Sequence, residues 1–190
     1  MGSLVYLFNV SLDGFIETPS HSLDWGDVDD ELHAWFNERA REHDAVLYGR
    51  RLYETMAAHW PYAEEDPASS PVMRDFARIW TAKPKFVFSH SLAEVGWNGR
   101  LVRGDVAEEL AAIRREFGGT LEVGGAALAA SFIERGLVDR LELVVHPVVL
   151  GAGTRFFPPV ADWIRLRETE TRRFGNGARL LSYEVVRDGR

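Results

Sequence analysis

Leu4-Val5-Tyr6-Leu7-Phe8-Asn9-Val10 is a nearly continuous apolar run. Such a run reads as a strand buried on both faces of a parallel sheet, because a strand with one wet face would alternate apolar and polar residues. It stops at Asp13-Gly14, a turn signal. From Asp27 the apolar residues take helical spacing, with Leu32, Trp35, Phe36 and Ala40 on one face. Acids crowd that helix's first turn, where the dipole favours them. Further strand-like segments fall at 45–48, 85–88, 120–123 and 141–145. Helical stretches separate them, starting near Arg50, around Phe76, at 106–117 and at 126–135. Pro61 to Pro71 is acidic and serine-rich and reads as a surface loop. The end of the chain differs: 164–174 and 178–186 are β-like and flank Gly175-Asn176-Gly177, a hairpin signal. The pattern predicts a three-layer α/β fold, with a mostly parallel central sheet flanked by helices and an antiparallel C-terminal hairpin. No repeat, low-complexity tract or composition break marks a linker, so one domain over 1–190 is expected.

The inventory narrows the chemistry. With no cysteine in 190 residues, thiolate metal sites, iron–sulfur clusters and cysteine nucleophiles are excluded. His21, His33, His43, His59, His90 and His146 are dispersed without the spacing of a zinc site, so no metal is expected. No Gly-x-Ser-x-Gly elbow is present for a serine hydrolase. A net charge of −7 argues against a general nucleic-acid binder. No apolar run approaches membrane-spanning length, and Met1 to Val10 lacks the basic flank of a signal peptide, so a cytoplasmic location is expected.

Three strand ends carry groups suited to an anion. Gly124-Gly125-Ala126 joins a strand to a helix, where bare backbone lets a ligand approach the helix N–H groups; a tight turn is the alternative. Gly49-Arg50-Arg51 places two permanent cations at another helix start, to be balanced either by a bound phosphate or by acids such as Glu54 or Glu42. Ser89-His90-Ser91 follows a third strand and is otherwise an ordinary turn. Ligands of open α/β sheets bind at the strands' carboxyl ends, which is where all three fall. No Gly-x-Gly-x-x-Gly follows the first strand, so a standard Rossmann domain is disfavoured, and arginines in place of a ribose-binding acid favour NADPH over NADH.

Val46 to Arg51, Val87-Phe88-Ser89, Glu122 to Ala126 and the closing hairpin, in that order, resemble the dihydrofolate reductase fold over nearly the whole chain. Ser11-Leu12-Asp13-Gly14 and His146 to Gly153 are similar to the reductase domain of the riboflavin-biosynthesis deaminase-reductase and its stand-alone relatives. The resemblance implies NADPH as cofactor, held by Gly49, Arg50 and Arg51 at the phosphates, Ser89, His90 and Ser91 at the adenosine 2′-phosphate, and Val123, Gly124, Gly125, Ala126, Ala127 and Leu128 beneath the pyrophosphate. Gly151 and Gly153 would shape the adjoining loop. The nicotinamide would lie near Asn9, Val10 and Ile16, under a lid running from Asp13 to Trp25. Trp25 and Phe36 join Asn9 as candidate substrate contacts. The zinc deaminase half is missing, and Phe15 stands where the riboflavin enzymes often carry a basic residue, which departs from recognition of a phosphoribosyl group.

Reducing a C=N bond leaves a nitrogen in need of a proton. In dihydrofolate reductases an acid of the first long helix serves, and here Asp27, Asp29, Asp30 and Glu31 crowd that helix start. Glu31 is the first candidate to face the cleft, Asp30 the second and Asp13 a third; the alternative is that all are caps and turn residues. His146 reads as structural. The function expected is NADPH-dependent reduction of a small pyrimidine- or pterin-like heterocycle, with the 5-amino-6-(5-phosphoribosylamino)uracil of riboflavin synthesis foremost. Dihydrofolate reduction and a non-catalytic nucleotide-binding protein are the alternatives. A homodimer is expected by analogy, with Trp97, Phe156, Phe157 and Trp163 as candidate contact residues.

Overall fold

The first apolar run becomes β1 (Leu4–Ser11), and it lies between two parallel partners, β6 (Thr120–Gly124) and β7 (Arg140–His146). The computed structural model describes residues 2–187. Eight strands form one sheet in the order β5-β4-β3-β6-β1-β7-β10-β9. β3 (His43–Gly49), β4 (Lys85–Phe88) and β5 (Gly99–Val102) extend it on one side in parallel. β10 (Arg179–Val185) and β9 (Leu166–Arg173) close the other side antiparallel, as the Gly175-Asn176-Gly177 signal predicts. Among the described residues no helix is long and apolar enough to cross a membrane.

Alternation along the strands gives the sheet two unlike faces. Leu4, Tyr6, Leu47, Leu121 and Val123 pack into one continuous core with Leu110 and Ile113 of α4 (Val106–Glu116) and Phe132 of α5 (Ala126–Glu134). The opposite core is split. Leu7, Val144 and Leu180 pack on Leu32 and Trp35 of α1 (Asp30–Glu42), while Val46, Tyr48 and Val87 pack on Tyr53 of α2 (Arg50–Ala63) and Trp80 of α3 (Pro71–Ala82). Between the two clusters runs β6, whose residues on this face are Thr120, Glu122 and Gly124. With no large apolar side chain there to bridge the clusters, a cleft is left open.

Several expectations need correction. α2 continues through Pro61 to Ala63. The proline costs one hydrogen bond near the helix end, where the packing of Met56, Ala57 and Trp60 on α3 holds the chain. β5, a short edge strand with mixed exposure, has no apolar run to announce it. The segment after Asp13 is partly β: β2 (Phe15–Glu17) pairs with β8 (Thr154–Arg155). Phe156 is 1% exposed and stacks on Tyr6 at 4.1 Å, so it belongs to the core and cannot serve a subunit contact. Trp97, Phe157 and Trp163 are exposed.

Candidate cofactor and substrate cleft

Gly49-Arg50-Arg51 and Gly125 to Leu128 come together as the walls of one trough of about 440 Å³ at the carboxyl edge of the sheet. The two helices that start there, α2 and α5, have glycine N-caps that make no side-chain capping bond. By contrast, Asp29 caps α1 and Asp105 caps α4. The first-turn N–H groups of α2 and α5 are thus unclaimed by a cap, and both helix dipoles present their positive ends to the trough. The glycine pair has two separate causes. A Cβ on Gly124 would lie 2.8 Å from the Tyr48 ring, so that glycine is required by packing. Gly125 has φ +98°, a conformation L side chains rarely adopt, and it opens the backbone at the mouth of α5. The trough fits a pyrophosphate: bare backbone, two helix starts and two arginines.

Arg50 reaches Glu54 across one helical turn at 3.2 Å, and both are exposed. Arg51 turns toward Glu17, which is buried and also accepts from Thr154 and from His21 at 2.9 Å. Burial pushes the Glu17 carboxyl up, but the bonds from Thr154 and His21 and the Arg51 charge outweigh it and hold the group below the usual range. β2 is thereby tied to the start of α2 across the trough. Ser89, His90 and Ser91 follow β4, next to β3 along the same edge. Ser89 Oγ accepts from the Ser91 and Leu92 N–H groups at 3.2 and 3.1 Å. Exposed His90 borders a separate depression with Ser131 and two arginines the sequence had not singled out, Arg103 and Arg135; Asp105, which pairs with Arg135 at 2.8 Å, and Glu134 line it too.

Phe8, Ile16, Leu23 and Leu52 line both the trough and the cleft of about 490 Å³ beneath α1–α3. Trp60, Phe76 and Phe36 give the cleft aromatic walls. Asn9 sits at its floor, and its Oδ1 accepts from His146 Nε2 at 2.8 Å, leaving the amide N–H groups as donors to a ligand. Burial holds the buried His146 below its ordinary value, partly offset by Asp27, so the ring is neutral at neutral pH. Trp25 packs edge-on against that ring at 5.5 Å and donates to the Ile16 carbonyl, fixing the lid segment over Asn9. The Val10 and Val123 side chains are buried in the core on the other face, so only their backbones can meet a ligand.

The acids fall elsewhere. Glu31 does not face the cleft: it accepts from the Gly175 N–H at 2.9 Å and pairs with Arg172, because the C-terminal hairpin packs beside α1. Asp30 is exposed and within 3.4 Å of Ser70 Oγ. Asp13 accepts from Ser11 Oγ and from the Leu150 and Gly151 N–H groups at 2.7, 3.1 and 2.7 Å. Those bonds, the Ser11 hydroxyl first, hold its carboxyl at about 2, so it ties the Gly151 loop to the end of β1 as a fixed anion and has no proton to give at neutral pH. The acid that does line the cleft is Glu122. Its signal in the sequence is a lone charge within an apolar strand, Leu121-Glu122-Val123. His33, Tyr48 and Lys83 line the cleft as well. Among the described residues no group of three histidines or acids is arranged to hold a metal.

Residues 3–180 match the RibD C-terminal domain. The chain belongs to that family. It is 32% identical to the Bacillus subtilis (strain 168) protein YyaP over 175 residues, covering 92% of this chain and 90% of that one. Among solved structures it resembles a Shewanella sp. PV-4 protein named for riboflavin biosynthesis, with a TM-score of 0.78, 20% identity and coverage of 98% and 100% of the two chains. It also resembles Enterococcus faecalis dihydrofolate reductase complexed with NADP(H), with a TM-score of 0.66, 18% identity and coverage of 97% and 96%. The fold is therefore dihydrofolate reductase-like.

Proposed function

We propose that this chain is an NADPH-dependent reductase of a small pyrimidine- or pterin-like heterocycle. The observation that carries the reading is the continuity of two unlike spaces: a trough with two uncapped helix starts and two arginines runs into an apolar cleft with aromatic walls. Gly49, Arg50, Arg51 and Gly125 to Leu128 would hold the pyrophosphate, and the cations near His90 would receive the 2′-phosphate. When bound, the dinucleotide supplies a hydride. The residues of this chain place the acceptor. Asn9, oriented by neutral His146, offers N–H donors at the cleft floor, and Trp25 closes the lid side and excludes water. Homodimer formation, from family likeness, and a cytoplasmic location, from the sequence pattern, are part of this proposal.

A second reading is favoured by one observation: none of Glu31, Asp30 and Asp13 delivers a proton into the cleft. A protein that binds the nucleotide without turnover would look the same. The test is NADPH oxidation with a panel of aminopyrimidines, pterins and their phosphoribosyl forms, beside melting curves with NADPH and NADH. The reductase reading expects turnover of at least one heterocycle and a larger melting shift with NADPH. A shift without turnover across the panel supports the binding protein, and equal or absent shifts contradict the cofactor assignment.

A further inference from the structure

Among the described residues Glu122 is the one carboxylate in the lining of the cleft, and nothing in the reductase reading uses it. It sits on a central strand, level with Val5 of β1 on one side and Val46 of β3 on the other, and its face of the sheet is roofed by α1–α3. Its side chain is nonetheless 20% exposed. The open space that Glu122 borders on this face is the cleft. One carboxylate oxygen accepts from His43 Nδ1 at 2.7 Å, and the other has no protein partner among the described residues. A carboxyl oxygen facing a cleft walled by Trp60, Phe76 and Trp80 is costly to leave unpaired.

The neighbouring charges decide what that oxygen can receive. Lys85 is buried, and its ammonium donates to the Trp80, Lys83 and Trp97 carbonyls, so its protons are spent. Lys83 donates to the His43 carbonyl and makes no ion pair with Glu122. The Tyr48 hydroxyl accepts from Trp80 Nε1 at 3.1 Å and stays protonated, because burial raises its pKa, and Glu122 adds to the effect. His33 and His59 line the cleft, with His33 within 3.2 Å of Asn37 Oδ1. No arginine lines this space among the described residues, so a phosphate dianion finds no guanidinium fork there. Glu122 lies level with Val5, four residues before Asn9 on the adjacent strand. At about 3.3 Å per residue the two ends of the cleft are about 13 Å apart.

We propose that Glu122 determines specificity at the far end of the cleft: its free oxygen receives an N–H-donating, non-anionic group on an elongated aromatic ligand whose other end reaches Asn9. It rests on the reductase reading only in calling that ligand the substrate. A substrate carrying a phosphoribosyl group toward Glu122 is accordingly disfavoured.

The test needs no dinucleotide. Binding of biphenyl-4-carboxamidine and of biphenyl-4-carboxylate to the full chain is followed by quenching of the tryptophans in the cleft walls. The amidine is expected to bind roughly tenfold more tightly, a difference of about 1.4 kcal/mol. Glu122→Gln should remove most of that preference while leaving the NADPH-induced melting shift in place, and Glu122→Asp should retain part of it. Equal binding of the two probes by the unmodified protein, or a preference that survives Glu122→Gln, would overturn the proposal. The first outcome is decisive even if the glutamine variant fails to fold. Loss of NADPH binding with the amidine preference intact would sink the reductase reading alone.

Discussion

The trough beside α2 and α5 and the cleft beneath α1–α3 share a wall of Phe8, Ile16, Leu23 and Leu52, yet their polar groups are held in opposite ways. In the trough the cations sit at the rim: Arg50 and Arg51 are half-exposed, Arg50 partnered by exposed Glu54 and Arg51 by buried Glu17, acids whose place a phosphate would take. In the cleft the charges are buried among aromatic rings, and most are already spent on carbonyls or on one another. Rim charges in water contribute little to stability and remain free to exchange partners. Buried ones cannot be left unpaired, so they fix geometry and select the ligand. The trough is thus suited to hold a common anionic cofactor and the cleft to discriminate among substrates.

The largest effect that would sharpen this contrast is expected from Gly125→Val. A β-branched residue at φ +98° is strained and crowds the mouth of α5. NADPH affinity should fall roughly 100-fold, about 2.7 kcal/mol, while binding of the aromatic amidine in the cleft is unchanged; titration of both ligands checks it. Next come Arg50→Ala and Arg51→Ala. Each removes one charge-assisted contact at a wet rim and should weaken NADPH roughly tenfold, with a shallower salt dependence. An affinity indifferent to both would break the comparison from the trough side.

From the cleft side, Lys85 offers a stability test. Burial first, then the Lys83 charge, lowers its pKa from 10.5 to about 7. Between those values the unfolded chain binds a proton that the folded chain lacks, so this residue's contribution to stability rises as pH climbs from about 7 toward 10.5. The slope is at most about 1.4 kcal/mol per pH unit. Melting curves of the unmodified protein should show that rise, and Lys85→Met should flatten it. The smallest effect is expected from Asp13, whose carboxyl lies at about 2 against an ordinary 3.8. Its contribution is present above pH 4 and lost as pH falls toward 2. Asp13→Asn should loosen the loop at Leu150 and Gly151, seen as faster amide exchange there, with a small fall in melting temperature near pH 7 that disappears as the pH approaches 2.

The same contrast governs how much could be read from the sequence. The trough was legible because glycines and arginines at strand ends are local signals: each motif is contiguous, and one rule about carboxyl edges brings Gly49 and Gly125 together. The order of strands and the final hairpin were legible for the same reason, through Leu4 to Val10 and Gly175-Asn176-Gly177. The cleft was not. Glu122, Lys83 and His33 come from β6, the end of α3 and α1, and only the split between two packed clusters shows that β6 faces an opening. Glu31 misled because helix periodicity gives a side chain's angle on its own helix, whereas the packing of the Gly175 turn beside α1 decides what it meets. Phe156 misled because a stack on Tyr6 is set by a loop returning to the far side of β1. Gly124 was legible as a necessary glycine but for another reason, since Tyr48 excludes a side chain there.

The central claim is that the two spaces form one groove, with the pyrophosphate at Gly125 and the reacting ring at Asn9. A crystal of this protein soaked with NADPH measures it most directly. The account predicts density for the pyrophosphate against the N–H groups at the starts of α2 and α5, with the nicotinamide between Ile16 and Asn9 at the mouth of the cleft. A dinucleotide bound with its phosphates away from Gly49 and Gly125, or one whose nicotinamide points away from Asn9, would contradict it.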